Sequence, residues 1–511
     1  MRSRQAGPAA AIALVLTLSA AACGTTVNGA VESAGGHYPS QGLAPEGPAI
    51  GGSDGLGGPE VATADPLASD QAGAPADDRK GEASRREVGT GPRSASPSPN
   101  VEGSDLGATK QLKVGVIIPS GNVGAAYGVS PTNTAPEQAR AELKAIANHI
   151  NSHGAFGGHQ ISLDVQELDR TDESPGTYTR LQNEICAYFA EDAQADFVAA
   201  TADARTTYAN DCYAKHRLPL LTLTPGAEDQ VRELSPWIMP PPSLNLSRMG
   251  RLLPIALARQ GFLTQRVGVV SFDRSPEREI VEKYLVPGIN ANGGHVLETA
   301  FATPDTADAA AAAANIVLKF KDRDIDRVVL FAPGGGMWLF LTQQAESQNW
   351  HSVRWGVSTM DSPNFTSKVI PPAQLPGTVG AGYVATIDVA ESQVAPPGPR
   401  QKFCWDLLNK ATGSSYSRYD TPGILALNRC ETLFQAQAAY GAFRGRPVDP
   451  SSVLAGFNGL GRTYPSFMLT GLDFQPGRVD GVRFYAPFVY DTTKCSCFRY
   501  ASGWLDIPSG V

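Results

Sequence analysis

Residues Leu112 to Pro119 read Leu-Lys-Val-Gly-Val-Ile-Ile-Pro, and this run decides the fold. A strand with one wet face alternates apolar and polar side chains. Here both alternating sets are apolar apart from Lys113, so both faces are covered, as in a parallel sheet with helices on either side. Downstream, Pro136 to Ser152 puts Ala139, Leu143, Ile146, Ala147 and Ile150 on one helical face. His153-Gly154 and Gly157-Gly158 stop that helix. Gln160 to Leu168 alternates as a second strand, Tyr178 to Phe189 is a helix and Asp196 to Ala200 a third strand. Thr206 to His216 is a helix and Leu218 to Leu223 a fourth strand. Strands alternating with helices of this length predict a parallel sheet in an α/β fold.

A second run of the same kind follows the Pro-rich junction Trp237-Ile-Met-Pro-Pro-Pro242. Helices are predicted over Arg248 to Gln260, Glu277 to Asn290, Ala307 to Lys319 and Met337 to Ser347. Strands are predicted over Arg266 to Ser271, His295 to Phe301, Arg327 to Phe331 and Val353 to Val357. Two successive α/β runs read as two lobes rather than one long sheet.

Upstream, the chain opens with Arg2 and Arg4, a short apolar run from Ala9 to Leu18, small residues Ala20 to Ala22, and Cys23. This is the layout of a secretory signal over residues 1–22. The cysteine after the small residues resembles a bacterial lipobox, which implies acylation of Cys23 and anchoring in the lipid bilayer, on the extracytoplasmic face of the cell membrane. Residues 24–110 are Gly, Ala, Pro, Ser and charge with no sustained apolar period, and read as a disordered tether behind the lipidated end. No later apolar run approaches the roughly 20 residues of a membrane span.

Of seven cysteines, six remain once Cys23 is set aside. An even number in an oxidising compartment suggests disulfides. The preferred pairs are Cys186 with Cys212 and Cys404 with Cys430, each joining helices that follow one another in the chain. Cys495 and Cys497, if both lie in a strand, share a face and pair only with strain. A zinc site is the alternative, but no second close Cys or His pair completes it. The net charge of −8 argues against a nucleic-acid partner.

The order of segments resembles that of the type 1 periplasmic-binding proteins, with the leucine/isoleucine/valine-binding branch nearest. The opening strand from Lys113, the helix ending Ile150-Asn-Ser-His-Gly-Ala-Phe-Gly-Gly-His159 and the strand from Ile161 carry the first part of the likeness. Leu218-Pro-Leu-Leu-Thr-Leu-Thr-Pro-Gly-Ala227 and Arg266-Val-Gly-Val-Val-Ser-Phe-Asp273 carry the middle, and Thr470-Gly-Leu-Asp-Phe-Gln-Pro-Gly-Arg-Val-Asp-Gly481 looks like the closing hairpin. The resemblance implies two Rossmann-like lobes with a hinge of three crossovers, near Met239–Pro242, Ala385–Asp388 and Ser466–Leu469. Lobe one would be residues 111–239 plus 387–466, and lobe two residues 240–386 plus 467–511. Hinge closure around a ligand is the motion such a fold implies.

Ligands of open α/β sheets bind at the carboxyl ends of the strands. That rule selects Ser120, Gly121, Thr201, Ala202, Asp203, Thr224, Gly226 and Glu228 in lobe one. In lobe two it selects Phe272, Asp273, Gly335, Ser358, Thr359 and Asp361. The resemblance places Thr201 and Thr224 near the hydroxyls that hold an amino acid. Glu228 stands where Thr is usual and Gly335 where an aromatic is usual. Ser358-Thr359-Met360 replaces the acidic residue, with Asp361 beside it, so branched-chain specificity is not inherited. Asp203, Glu228, Asp273 and Asp361 with only Arg274 nearby suggest a cationic solute, which closure would need as counter-ion; solvated loop carboxylates are the plainer reading.

Other motifs exclude chemistry. Gly334-Gly335-Gly336 lacks the Gly-Lys-Ser/Thr of a nucleotide-phosphate loop and reads as close backbone approach to a ligand. His149 and His153 have metal-ligand spacing but read as an exposed helix end, and no Gly-x-Ser-x-Gly element occurs in the folded part from Leu112 onward. Trp338, Trp350, Trp355 and Trp405 read as core or rim. The expectation is a monomeric, non-catalytic, cofactor-free binding protein that delivers a small solute, amino-acid-like or cationic, to ABC permease and ATPase subunits. A sensor without transport and an enzyme on the same fold are the rival readings.

Overall fold

The computed structural model describes residues 111–121, 135–169, 175–201, 209–223, 226–304, 306–443, 449–469 and 471–511. The expected signal, Cys23, the tether, Ala202, Asp203 and Thr224 lie outside the described residues.

Five parallel strands, β1 (Leu112–Ser120), β2 (Ile161–Asp169), β3 (Phe197–Ala200), β4 (Leu220–Thr222) and β5 (Ile238–Met239), make the first sheet in the order β2-β1-β3-β4-β5. Five more, β6 (Val267–Phe272), β7 (Val296–Ala302), β8 (Arg327–Phe331), β9 (Arg354–Ser358) and β10 (Val379–Gly382), repeat that order as β7-β6-β8-β9-β10. The second sheet continues through antiparallel β11 (Phe484–Asp491) and β12 (Cys497–Tyr500), with β13 (Leu505–Asp506) paired to β11.

The helices between them are α1 (Pro136–Ser152), α2 (Pro175–Ala187), α3 (Asn210–Lys215) and α4 (Glu228–Glu233) beside the first sheet. With the second are α5 (Leu246–Arg259), α6 (Glu277–Ile280) running through a π turn into α7 (Val286–Ala291), α8 (Thr306–Asp322) and α9 (Gly336–Ser347). Then α10 (Pro399–Thr412), α11 (Thr421–Tyr440) and α12 (Pro450–Gly459) return to the first sheet, where α10 and α11 pack on α1.

The repeat extends to side chains. Gly115 of β1 pairs with Val198 of β3, and Gly268 of β6 pairs with Val328 of β8. A Cβ on Gly115 would stand 2.7 Å from the ring of Phe189, and one on Gly268 would collide with the ring of Phe320. In each lobe the Val-Gly-Val of the leading strand thus leaves a slot for one phenylalanine from the covering helix, which brings helix and sheet together.

The apolar face of α1 is buried as expected, and so is Glu142 on its flank. Glu142 is ion-paired to Arg429 of α11 at 2.5 Å, both nearly inaccessible, and accepts from the Tyr416 hydroxyl. Cys186–Cys212 joins α2 to α3, and Cys404–Cys430 joins α10 to α11. Cys495 also pairs with Cys497. Cys495 sits in the turn before β12 rather than in a strand, which corrects the premise of shared-face strain.

The Pro-rich junction begins one strand later than the sequence suggests, because Ile238–Met239 is the fifth strand and pairs with Leu220 and Leu221. The segment read as a closing hairpin is a loop with a single bridge, Leu472 to Val482, and the hairpin proper is β11–β12.

Three connections run between the sheets, and each is tied by a buried carboxylate. Asp480 accepts from the backbone N–H of Asn245 at 2.9 Å and of Val482 at 3.0 Å, and pairs with Arg248, joining the first connection to the third. In the second, Asp388 accepts from Val384 N–H at 2.9 Å, Thr359 Oγ1 at 2.6 Å and the Tyr500 hydroxyl at 2.9 Å. Glu431 of α11 holds the third through Ser466 Oγ at 2.7 Å and Phe467 N–H. Burial pushes all three carboxyls up, Asp388 to about 7, and for Asp480 the Arg248 guanidinium works the other way.

Candidate functional site

The order 2-1-3-4-5 has one switch point, between the leading strand and its third-strand neighbour, where crossovers leave on opposite faces and a crevice opens. In the first sheet that point lies between the ends of β1 and β3. Half-buried Ser120 ends β1, and Gly121 follows at φ +80°. Across from them, Thr201 is buried, and both its N–H and its Oγ1 donate to the Ile117 carbonyl, at 3.1 and 3.2 Å. Its hydroxyl proton is thereby committed, leaving lone pairs for a further partner.

Beyond β4, Gly226 is buried and its carbonyl accepts from Asn245 Nδ2 at 2.6 Å. Glu228 opens α4, where a carboxylate suits the helix start. It is held at 2.6 Å by Arg232 and at 2.5 Å by Arg251 of α5. Burial pushes this carboxyl up, but the hydrogen bonds from the two arginines outweigh it and hold it below the ordinary glutamate value. Asp229 pairs with Lys283 of the π turn at 2.7 Å, a second link between the lobes beside the first connection.

In the second sheet the switch point lies between β6 and β8. Phe272 ends β6, nearly buried, with the Arg274 guanidinium 4.9 Å over its ring. Arg274 is ion-paired to Glu277 at 2.6 Å, and Asp273 to Arg278 at 2.8 Å. Arg278 in turn lies 3.8 Å over the Phe301 ring. The expectation that Arg274 is the one cation near these carboxylates is therefore corrected. Arg232, Arg251 and Arg278 are also present, and each meets a carboxylate that the sequence left unpaired.

Gly335 caps the start of α9 at φ +78°. A Cβ there would lie 2.7 Å from the Asp361 carbonyl and closer still to Thr366 Oγ1, so no side chain fits. The aromatic usual at this place in the family is sterically excluded. Ser358 ends β9, Thr359 and Asp361 follow it, and all three are buried. Asp361 accepts from Ser358 N–H at 2.8 Å and Ser358 Oγ at 3.2 Å, a capping box on the turn Thr359–Asp361. Its Oδ1 has no hydrogen-bond partner among the described residues, and burial pushes the carboxyl up to about 7. Thr359 donates to Asp388 and accepts from Tyr383 N–H at 2.9 Å, so the end of β9 is wired to the second connection.

The structure thus places Ser120, Gly121 and Thr201 at the switch point of the first sheet and Phe272 and Asp273 at that of the second. Gly226 and Glu228 stand at the contact between lobes, and Ser358, Thr359, Asp361 and Gly335 sit in the packed base of the second sheet's loops. Sequence reasoning missed Asp388, Asp480, Arg248 and Glu431, because a charged group buried by its own ion pairs and hydrogen bonds carries no periodic signal. Arg232 was within reach, since Glu228 and Arg232 have i,i+4 spacing once α4 is recognised as a helix. His149 and His153 stack at 3.9 Å, and no group of three or more metal-holding side chains occurs among the described residues. All four tryptophans named above are buried in the core. No helix among the described residues is long and apolar enough to cross a membrane.

Neither a protein-family model nor a curated protein sequence matches the chain. Solved structures do. An ABC-transporter solute-binding protein of Rhodopseudomonas palustris BisB5, in complex with 3,4-dihydroxybenzoic acid, matches with a TM-score of 0.56 at 16% identity, covering 78% of this chain and 98% of its own. A periplasmic-binding protein type 1 of Bordetella pertussis Tohama I matches with a TM-score of 0.55 at 15% identity, over 77% of this chain and 100% of its own. An ABC-transporter substrate-binding protein of Desulfitobacterium hafniense in complex with Leu matches with a TM-score of 0.50 at 15% identity, over 76% and 100%. With both sheets in the same strand order and three connections between them, the chain has the fold of the type 1 periplasmic-binding proteins.

Proposed function

We propose that this protein is an extracytoplasmic solute receptor, tethered through acylated Cys23, which closes on a small organic acid and presents it to an ABC permease and its ATPase. The observation that carries the reading is the doubled sheet: five parallel strands in the same order in each lobe, each with a switch point where α/β folds bind ligands, joined by three connections. Binding without catalysis accords with the solute-binding proteins that share the fold. A carboxylate solute is favoured over a cation on two grounds. Glu228 and Asp273 already hold arginines and Asp361 is buried, so closure demands no counter-ion. The dihydroxybenzoate and leucine of the similar structures both carry a carboxylate.

A thermal-shift screen of aromatic acids, amino acids and polyamines tests this. At about 100 times Kd a solute stabilises by about 2.7 kcal/mol, and one of the acids is expected to raise Tm. Stabilisation by polyamines alone would overturn the choice of ligand, and a product appearing during incubation would overturn the non-catalytic reading. For the tether, Cys23→Ser is expected to release the protein into the medium.

A further inference from the structure

We propose that Cys495–Cys497 is a thiol–disulfide exchange site that accepts two electrons from a protein dithiol outside the cytoplasm, rather than a staple of the fold. Cys186–Cys212 and Cys404–Cys430 each close a chain separation of 26 and join helices through largely buried sulfurs. Cys495–Cys497 closes a separation of 2. So short a ring restrains the unfolded chain least, and the bond therefore adds little to folding. Cys495 and Cys497 are half-buried, and Ser496 between them is exposed at φ +48°. An attacking thiolate needs such access.

The turn is held without the sulfurs. The Asp491 carboxylate accepts from Thr493 N–H at 2.9 Å, Thr493 Oγ1 at 2.7 Å, Lys494 N–H at 3.0 Å and Arg499 Nε at 2.5 Å. The Tyr490 hydroxyl donates to the Ser496 carbonyl at 2.8 Å, and Phe498 is buried against Phe488 and Trp338. Opening the bond therefore leaves β11 and β12 paired. In the reaction a thiolate of the donor dithiol attacks one sulfur, forming a mixed disulfide and expelling the other as thiolate. The donor's second thiolate then attacks its own sulfur in that mixed disulfide. The donor leaves oxidised, and Cys495 and Cys497 leave reduced with two electrons and two protons gained. This inference does not depend on the identity of the solute.

The test equilibrates the folded, fully oxidised protein with reduced and oxidised dithiothreitol, then maps alkylated peptides. Cys495–Cys497 is expected to open at a ratio of reduced to oxidised reagent about 100-fold lower than the other two bonds, a difference of about 59 mV. Thioredoxin, as a probe protein dithiol, is expected to open it about tenfold faster than dithiothreitol at equal concentration. Simultaneous opening of all three bonds, opening of this one last, or no gain with thioredoxin would each overturn the proposal. The double variant Cys495→Ser/Cys497→Ser is expected to keep Tm within about 2 °C of the parent. A fall as large as that of Cys404→Ser/Cys430→Ser would restore the staple reading.

Discussion

Burial pushes the carboxyls of Asp361 and Asp388 up to about 7, whereas an unfolded chain titrates aspartate at about 3.9. The native state then binds more protons between those values, and the stability these groups contribute is full below about pH 4 and lost as pH rises through about 7. Asp388→Asn has no proton to lose, so the fall in Tm from about pH 5 to about pH 8 is expected to be smaller in that variant. An equal fall in both proteins would discount Asp388. Arg248 sets a different test, because it faces a fully buried Asp480. Arg248→Met leaves that carboxylate without its ion-pair partner and is expected to cost about 3–5 kcal/mol in urea denaturation, and adding Asp480→Leu should recover part of the loss. Neither group was legible from the sequence. The pattern shows which residues avoid water, and a carboxylate buried by its hydrogen bonds looks the same in a sequence as one in solvent. Glu142 makes the point on α1, buried beside an apolar face that was read correctly.

Among the elements, legibility followed the run of apolar side chains. The strands β1 to β4 and β6 to β9 lie within a residue or two of where alternation and apolar runs put them. β5, two residues long, and β10, reading Val-Gly-Ala-Gly, are too short or too poor in side chains to show a period. The pairs Cys186–Cys212 and Cys404–Cys430 were foreseeable because each joins helices that follow one another in the chain. Each closes a separation of 26, for which chain entropy alone gives about 3.5 kcal/mol, against about 1.5 kcal/mol for a ring of three residues. Removing Cys404–Cys430 should therefore lower the denaturation midpoint well beyond the effect of removing Cys495–Cys497. Gly268→Val tests the slot for Phe320, with a loss of roughly 1–3 kcal/mol expected from overpacking.

At the scale of the molecule, the proposed function requires the three connections to serve as a hinge for closure around the solute. Solute binding is expected to reduce the radius of gyration in small-angle scattering, and an unchanged radius at saturation would speak against closure. The strand-end rule named candidate positions in the sequence but not the partners of their side chains. Which carboxylates were already paired depended on Arg251 and Arg278, brought in by helices whose docking no linear pattern records.

The discontinuity of the first lobe also constrains how the molecule comes into being. α1 is covered by α10 and α11, whose residues lie beyond the whole of the ten-strand repeat. A polypeptide delivered start-first, by ribosome or by export channel, makes its earliest sheet with one flank still greasy and must carry that flank until the last quarter arrives. Folding as it emerges would be premature for this half, so a holding chaperone, or a pause in structure formation until release, is built into the wiring of the chain.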